Sequence, residues 1–118
     1  MADMSFEEYR KFLQSINPDE DCPVKMLMEV LSKKWNLRVV FELTRKDFLR
    51  FGELKSQITN ITNSSLSSTL KELEENSLIN RIQYNEIPPH VEYSLTEKGK
   101  MLYPIFAEMG KWVKIYGD

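Results

Sequence analysis

The chain has 118 residues, a length that fits one domain of ordinary size. Its composition, 42% hydrophobic and 29% charged, is typical of a folded globular protein and excludes a disordered chain. No apolar run approaches the roughly 20 residues that a membrane helix needs, and the acidic N-terminus is unlike a secretory leader. One cysteine and one histidine exclude an internal disulfide and a structural zinc site. We therefore expect a cytoplasmic protein without a membrane partner, metal or cofactor.

The formal net charge of −2 hides an uneven distribution of charged residues. Residues 1–21 hold six acids and two bases, whereas the rest of the chain holds 14 bases and 12 acids. An acidic segment thus masks a mildly basic remainder, which a dimer would present twice. The net charge alone does not exclude a nucleic-acid partner.

The first half of the chain reads as a series of helices. Ser5-Phe6-Glu7-Glu8 has the form of a capping box, and apolar residues recur at helical spacing as far as Ile16. Asn17-Pro18 ends this helix, and Asp19-Glu20-Asp21 follows as a short acidic linker. The next predicted helices run from Pro23 to Leu31, through Leu37 to Leu43, from Phe51 to Ile58, and from a cap at Thr62 or Asn63 through Leu73.

The apolar period then changes from helical to alternating. Residues 78–84 and 91–95 alternate as strands, and residues 85–89 form the turn between them. Thr96 caps a final helix through Tyr116, which Pro104 is expected to bend. This order predicts a mainly α protein with a small β-hairpin, namely a winged helix-turn-helix with N- and C-terminal dimerisation helices.

Several motifs follow one another in a characteristic order. They are Cys22-Pro23-Val24, Lys34-Trp35, Arg50-Phe51-x-Glu53-Leu54, Leu66-x-x-x-Leu70-Lys71-Glu72-Leu73-Glu74, Leu78-Ile79, the run from Pro88 to Gly99, and Trp112. In this order they resemble the HxlR family of bacterial and archaeal winged-helix transcriptional regulators, which are related in fold to MarR proteins. The resemblance implies a homodimer that binds double-stranded operator DNA, with the terminal helices forming much of the dimer interface. We divide the chain into a dimerisation arm, residues 1–21, and a winged helix-turn-helix domain, residues 22–118.

The chain departs from the family pattern at a few positions. The family usually has glycine where Lys34 and Ser77 stand, so we expect left-handed backbone at both, with Asn76 as the alternative to Ser77. The family also favours Gly-Pro where this chain has Asp47-Phe48. Its wing commonly carries arginine where His90 stands, which changes the charge that the wing presents.

The predicted DNA-reading face follows from the rotation of one helix. If Leu66, Leu70 and Leu73 are buried, a turn of 100° per residue places Ser64, Ser68, Lys71 and Glu75 opposite them, with Ser65 and Ser67 on the flanks. Hydroxyl groups suit phosphates and base edges, although these serines have an alternative interpretation as merely exposed residues. We predict DNA contacts from Asn63, Ser64, Ser65, Ser67, Ser68 and Lys71.

Further DNA contacts are predicted outside that helix. The backbone and wing contacts are Arg50, Lys55, Arg81, Pro88, Pro89 and His90. For each charged residue an ordinary solvated side chain is the alternative, and Lys71 has a second option in an ion pair with Glu75. Arg81 has two interpretations, a brace between wing and helix or a phosphate contact.

Cys22 is the one residue with plausible reactive chemistry. Some relatives sense oxidants through a cysteine at the matching position, and a helix N-terminus favours the thiolate form. The three acids before Cys22 disfavour the thiolate, because their negative charges repel it. Two interpretations stay open, a redox sensor and a small capping residue.

The terminal helices carry more apolar surface than one small domain can cover. The predicted dimer interface consists of Phe6, Tyr9, Phe12, Leu13, Met109, Trp112 and Tyr116. A cavity between these helices that holds a small-molecule effector is the alternative.

An enzyme is not expected, because the single histidine has no nucleophile constellation and the chain has no glycine-rich phosphate loop. The predicted function is a sequence-specific DNA-binding regulator. The alternative from a different class is a winged-helix dimer that binds protein and has no specific DNA target.

Overall fold

The computed structural model describes residues 4–17, 20 and 22–117, so Asp19 and Asp21 of the predicted acidic linker lie outside the described residues. The elements are α1 (Phe6–Ser15), α2 (Pro23–Leu31), α3 (Asn36–Thr44), β1 (Leu49–Arg50), α4 (Phe51–Gln57), α5 (Asn63–Glu75), β2 (Ile79–Tyr84), β3 (His90–Leu95), α6 (Glu97–Lys100) and α7 (Tyr103–Tyr116). Among the described residues, no helix combines the length and the hydropathy that crossing a bilayer requires. The chain divides into two compact units, Met1–Ser32 and Lys33–Asp118.

In the unit Met1–Ser32, each helix starts at a side-chain cap. The Ser5 hydroxyl accepts a hydrogen bond from the backbone N–H of Glu8 at 3.2 Å, as the capping-box pattern predicts. Cys22 caps α2, because its Sγ accepts a hydrogen bond from the backbone N–H of Lys25 at 3.4 Å. No residue of α1 is buried, so this helix leaves its apolar side largely uncovered. Whether residues 1–21 act as a separate arm stays a prediction.

In the unit Lys33–Asp118, three helices and a small sheet form the helix-turn-helix and its wing. Helices α3 and α5 both pack against the sheet, whose antiparallel strands lie in the order β1-β3-β2. Strands β2 and β3 pair from Ile79 opposite Leu95 to Tyr84 opposite His90, which confirms the predicted hairpin. Strand β1 was not predicted, because two residues are too few to show an alternating pattern.

Apolar stripes from the helices and strands meet in the core of this unit. Leu66, Leu70 and Leu73 of α5 are at most 2% exposed, which confirms the predicted stripe. The other buried apolar residues of the unit are Val39, Val40, Leu43, Leu49, Leu54, Ile58, Ile61, Leu78, Ile79, Leu95 and Leu102. Burial of this stripe fixes the rotation of α5 and turns its polar side outward.

A buried carboxylate supports the junction between α3 and α4. Glu42 is 1% exposed and accepts hydrogen bonds from Arg38 Nε at 2.8 Å and Arg45 Nη1 at 3.0 Å. Arg38 also donates from Nη2 to the backbone carbonyl of Gln57, the last residue of α4, at 3.0 Å. Because a buried charge needs hydrogen-bonded partners, Glu42 holds Arg38 where it bridges the two helices.

Helix α5 ends in a left-handed turn at Ser77, whose φ is 60°. The N–H of Leu78 donates to the carbonyl of Leu73 at 3.0 Å, and the N–H of Ser77 donates to the carbonyl of Glu74 at 2.9 Å. These two bonds make a Schellman motif with serine at the position that glycine usually takes. The prediction for Ser77 is confirmed, and the alternative at Asn76 is wrong, because Asn76 has a φ of −89°.

The left-handed prediction for Lys34 is also wrong. Among the described residues other than glycine, positive φ occurs at Asn60 and Ser77. The corner before α3, residues 32–35, instead has right-handed backbone at Ser32, the C-cap of α2, and at Trp35, the N-cap of α3. A right-handed turn accepts any side chain, so a lysine at this corner carries no backbone strain.

Thr96 caps a helix as predicted, because its Oγ1 accepts a hydrogen bond from the N–H of Gly99 at 2.9 Å, but the prediction of one continuous final helix is wrong. Helix α6 ends at Lys100 and α7 begins three residues later. Pro104 has no N–H to donate to the carbonyl of Lys100, so the α-helical ladder cannot continue there. The N–H of Leu102 bonds to the carbonyl of Gly99 at 3.1 Å, which is a tighter turn than an α-helix. Pro104 therefore separates two helices and does not bend one.

We expect Ser77→Gly to stabilise the fold, because glycine adopts the left-handed conformation without the strain that a Cβ causes. The gain in the free energy of unfolding should be up to about 1 kcal/mol, measured by thermal and urea unfolding. Ser77→Ala is the matched control, since it removes the hydroxyl but keeps the Cβ, and it should give no gain. A lower melting temperature for Ser77→Gly would contradict the assignment of strain to this position.

Candidate nucleic-acid interface

The outward side of α5 carries small polar groups. Thr62 caps the helix, with Oγ1 accepting a hydrogen bond from the N–H of Ser65 at 3.0 Å. The residues predicted to read DNA fall on or beside the outward face: Asn63, Ser64, Ser67, Ser68 and Lys71 are exposed, and Ser65 is half-buried. In the part of the chain that the structure describes, no side-chain hydrogen bond engages the hydroxyls of Ser64, Ser67 or Ser68. These groups are therefore available to an external partner.

The predicted backbone-contact cations carry uncompensated charge. Within residues 4–17, 20 and 22–117, the side chains of Arg50, Lys55, Lys71 and Arg81 have no ion-pair partner. The suggested pair between Lys71 and Glu75 is thus absent from the ion pairs of the described residues. Some other cations of this unit are paired, as Lys100 is with Glu97. Unpaired cations on the helix-turn-helix and wing favour an anionic partner there.

Arg50 and Lys55 lie at the two ends of α4. Arg50 is the N-cap residue and is exposed, and its backbone N–H donates to Glu53 Oε1 at 2.8 Å. Lys55 is half-buried in the last turn. Arg81 lies on β2 and lines a groove with Glu74 of the last turn of α5. Both interpretations of Arg81, a brace between wing and helix and a phosphate contact, stay predictions.

At the wing tip, the hairpin's own residues surround the one basic side chain, His90. Pro88 and Pro89 are exposed, but the His90 ring stacks on Tyr84 with ring centroids 4.8 Å apart. His90 Nε2 lies 3.2 Å from Glu92 Oε2, and His90 Nδ1 lies 4.0 Å from Glu86 Oε2. The side chain of His90 is 16% exposed, so the hairpin itself surrounds it. A contact between His90 and DNA stays a prediction.

A second carboxylate joins the corner before α3 to α5, and sequence reasoning missed it. Glu72 accepts a hydrogen bond from Lys33 Nζ at 2.6 Å and from Asn36 Nδ2 at 2.9 Å. The bond from Lys33, with that from Asn36, lowers the pKa of Glu72 below its ordinary value, although partial burial acts in the opposite direction. Asn36 is 2% exposed, so this contact fixes the start of α3 against α5.

The sequence profile of the HxlR-like helix-turn-helix family matches residues 30–118, three quarters of the chain. The chain belongs to the HxlR-like helix-turn-helix family. This confirms the resemblance drawn from the motifs. The family and its relatives are transcriptional regulators, so this HxlR-family chain is a DNA-binding transcriptional regulator and not an enzyme.

Three similar proteins illustrate the relationship. The helix-turn-helix transcriptional regulator BH0655 of Halalkalibacterium halodurans is 40% identical over 109 residues, which cover 92% of this chain and 94% of that protein. The crystal structure of a MarR-family transcriptional regulator from Porphyromonas gingivalis W83 superposes on this chain with a TM-score of 0.78. The two sequences are 39% identical, and the match covers 88% of this chain and 99% of that one. The structure of the redox regulator HypR in its oxidized form is 35% identical, with a TM-score of 0.73, and the match covers 82% of this chain and 99% of that one.

The terminal helices of this HxlR-family chain present apolar side chains to solvent. Helix α7 has no buried residue, and Met109, Trp112 and Tyr116 are 47%, 61% and 68% exposed. In α1, Phe6 and Leu13 are exposed, whereas Tyr9 and Phe12 are half-buried. Large apolar side chains at helical spacing that face solvent mark a surface for a partner.

Cys22 lies at the N-terminus of α2, where it is half-buried. Its sulfur accepts one backbone hydrogen bond, as described above, which is a capping role. The position is consistent with both interpretations drawn from the sequence. Among the described residues, no group of three metal-binding side chains occurs.

We expect Ser68→Ala and Lys71→Ala to weaken DNA binding in different ways. Ser68→Ala removes a hydroxyl from the outward face, so preference for the operator over random DNA should fall while thermal stability holds or rises. Lys71→Ala removes one predicted phosphate contact, so affinity for all duplexes should fall alike. The slope of log affinity against log salt should then flatten by about one. Fluorescence anisotropy with both duplexes across a salt series measures both effects. Unchanged operator preference in Ser68→Ala would mean that another face of α5 reads the bases.

Proposed function

We propose that this HxlR-family regulator binds a two-fold operator as a homodimer, with α5 of each subunit in the major groove. The observation that carries the proposal is the outward face of α5, where unengaged hydroxyls lie beside the unpaired charge of Lys71. An α-helix fits the major groove, and hydroxyls and lysines are common partners of base edges and phosphates. Because its partner is chromosomal DNA, we assign the protein to the cytoplasm.

The wing and α4 supply the backbone contacts in this proposal. In helix-turn-helix proteins the first helix crosses the backbone while the second enters the groove. We assign Arg50 and Lys55, at the two ends of α4, to the first role, and Arg81 on β2 to the flanking phosphates. The exposed Pro88 and Pro89 stiffen the wing tip, which lowers the entropy that docking costs.

The uncovered apolar surface of α7 supports the homodimer. We propose that α1 also contributes to the dimer interface. Two-fold dimers are the commonest oligomers, and each subunit then covers the same patch on its partner. Two such subunits present their recognition helices to successive major grooves on one side of the duplex. The half-sites should therefore lie about 10 base pairs apart, centre to centre.

A mobility-shift titration with genomic fragments tests the proposal against a protein-binding role. Specific DNA binding should weaken steeply with salt yet keep its preference for one site. A regulator that binds only protein would show neither property. Sequencing the fragments that the wild-type protein retains identifies the operator and its symmetry. A retained site without two-fold symmetry would contradict the proposed geometry.

We expect Trp112→Glu to shift the protein from dimer to monomer at micromolar concentration. Trp112 is largely exposed in the subunit, so the change should leave the monomer folded while it places a charge in the proposed interface. Sedimentation velocity measures the shift, and Lys111→Gln, a change at a polar position of α7, is the control. Operator affinity should fall together with dimer content.

A Trp112→Glu protein that stays dimeric would exclude α7 from the interface. The role of α1 is tested separately by removal of residues 1–17, which should weaken dimerisation and DNA binding together.

We also propose that Cys22 makes the regulator responsive to oxidants. Support comes from its position at a helix N-terminus and from the similarity to the redox regulator HypR. Since the chain has one cysteine, oxidation must join the Cys22 thiols of two subunits or join Cys22 to a small thiol. A small-molecule effector is the alternative signal.

We expect diamide to change operator affinity in the wild type but not in Cys22→Ser. Serine keeps an acceptor at the cap of α2, so the variant should fold and bind DNA normally without oxidant. Non-reducing gels should show a reducible dimer, or mass spectrometry a small-thiol adduct. An unaltered wild-type affinity under diamide would leave Cys22 with its capping role alone.

A further inference from the structure

A small recess lies between the corner before α3 and the outward side of α5. It measures about 160 Å³, and Lys33, Lys34 and Trp35 line one side while Ser68, Thr69 and Glu72 line the other. Cavities that hold whole small molecules measure about 300 to 1,000 Å³. This recess, defined here as the corner recess, therefore admits a single chemical group and not a metabolite.

The two lysines of the corner recess differ in what surrounds their charge. Lys33 is bound to Glu72, so this pair is close to neutral. The Lys34 side chain has no ion-pair partner in the described part of the chain, and its Nζ lies 4.9 Å from the centre of the Trp35 ring. A ring face holds an ammonium group in place without cancelling its charge. Lys34 thus presents a positioned, uncompensated cation.

The position of Lys34 relative to α5 is fixed by the groups around it. Glu72 of α5 receives hydrogen bonds from both Lys33 and Asn36, on either side of Lys34 in the chain. This network joins the corner to the helix that carries Ser68, one turn before Glu72. Ser68 and Lys34 line the same recess, so an anion bound beside Ser68 on the outward face of α5 lies at the corner recess.

We propose that Lys34 binds a phosphate of the DNA backbone at the corner recess, beside Ser68 of α5. The inference rests on the DNA-binding function proposed above. It adds the corner before α3 to the backbone contacts proposed for α4, α5 and the wing. A phosphate held on this side of α5 limits how the helix can rotate and slide in the groove, because phosphate contacts fix register and orientation. Lys33, Glu72 and Asn36 act as positioning residues.

The test replaces Lys34 and measures affinity for operator and random duplexes across a salt series. Lys34→Gln should lower both affinities between about three- and tenfold at low salt and flatten the salt slope by about one. Lys34→Arg keeps the charge and stacks well on an aromatic ring, so it should retain the wild-type slope.

Lys46→Gln is the matched control, because it removes the same charge at the other end of α3. Helix α3 lies between Lys34 and Lys46 in the chain, and its nine residues span about 13 Å. Lys46 is exposed and has no ion-pair partner among the described residues. Lys46→Gln should leave the salt slope at the wild-type value.

Failure of this inference is distinguishable from failure of the proposed function. If the wild type retains a specific site and Lys71→Ala flattens the slope, but Lys34→Gln behaves like Lys46→Gln, Lys34 does not contact DNA. A fall in melting temperature for Lys34→Gln with an unchanged slope would likewise overturn the inference, since it would show a purely structural role. If the wild type retains no specific site, the proposed function itself is wrong.

Discussion

The close contact between the end of α5 and the start of α6 sets the geometry of the whole DNA-binding unit. A side chain at Gly99 would overlap the backbone carbonyl of Leu78, so only glycine permits this approach. Thr96 Oγ1 donates to the carbonyl of Ser77 at 2.7 Å, and Lys98 Nζ donates to that of Asn76 at 3.0 Å. Because α6 follows β3 directly, these bonds fix the wing relative to α5. The motif from Thr96 to Gly99 is thus structural.

Two carboxylates then fix α3 and α4 within the unit. Glu42 holds Arg38 where it reaches the end of α4, and Glu72 holds the start of α3 against α5. Both join elements that are far apart in the sequence. The cations and hydroxyls of α4, α5 and the corner therefore keep their relative positions without DNA. Preorganisation of this kind lowers the conformational entropy that binding costs, so a modest number of contacts suffices.

Features with a local physical cause were predictable from the sequence, and features that depend on tertiary contacts were not. The leucine stripe of α5, its Thr62 cap and the hairpin follow from periodicity and capping chemistry. The partners of Glu72 were not predictable, because hydrogen bonds between distant segments leave no pattern in one sequence. The stacking of His90 on Tyr84 depends on the register of the hairpin, which the alternating pattern alone does not give. The sequence predicts a bend at Pro104, but whether a proline bends a helix or ends it depends on whether packing holds the two halves in line.

The distribution of charge along α5 explains how an acidic chain presents a surface for DNA. From Asn63 to Lys71 the helix has no acid, whereas Glu72, Glu74 and Glu75 crowd its last turn. The N-terminal half is therefore the half that tolerates phosphates, and the positive end of the helix dipole strengthens that preference. The serines of this half hydrogen-bond with either class of base and discriminate weakly. A single half-site consequently supplies little specificity. The chain needs either a second subunit or a deformable operator sequence to select its target, and the uncovered apolar surface of α7 favours the second subunit.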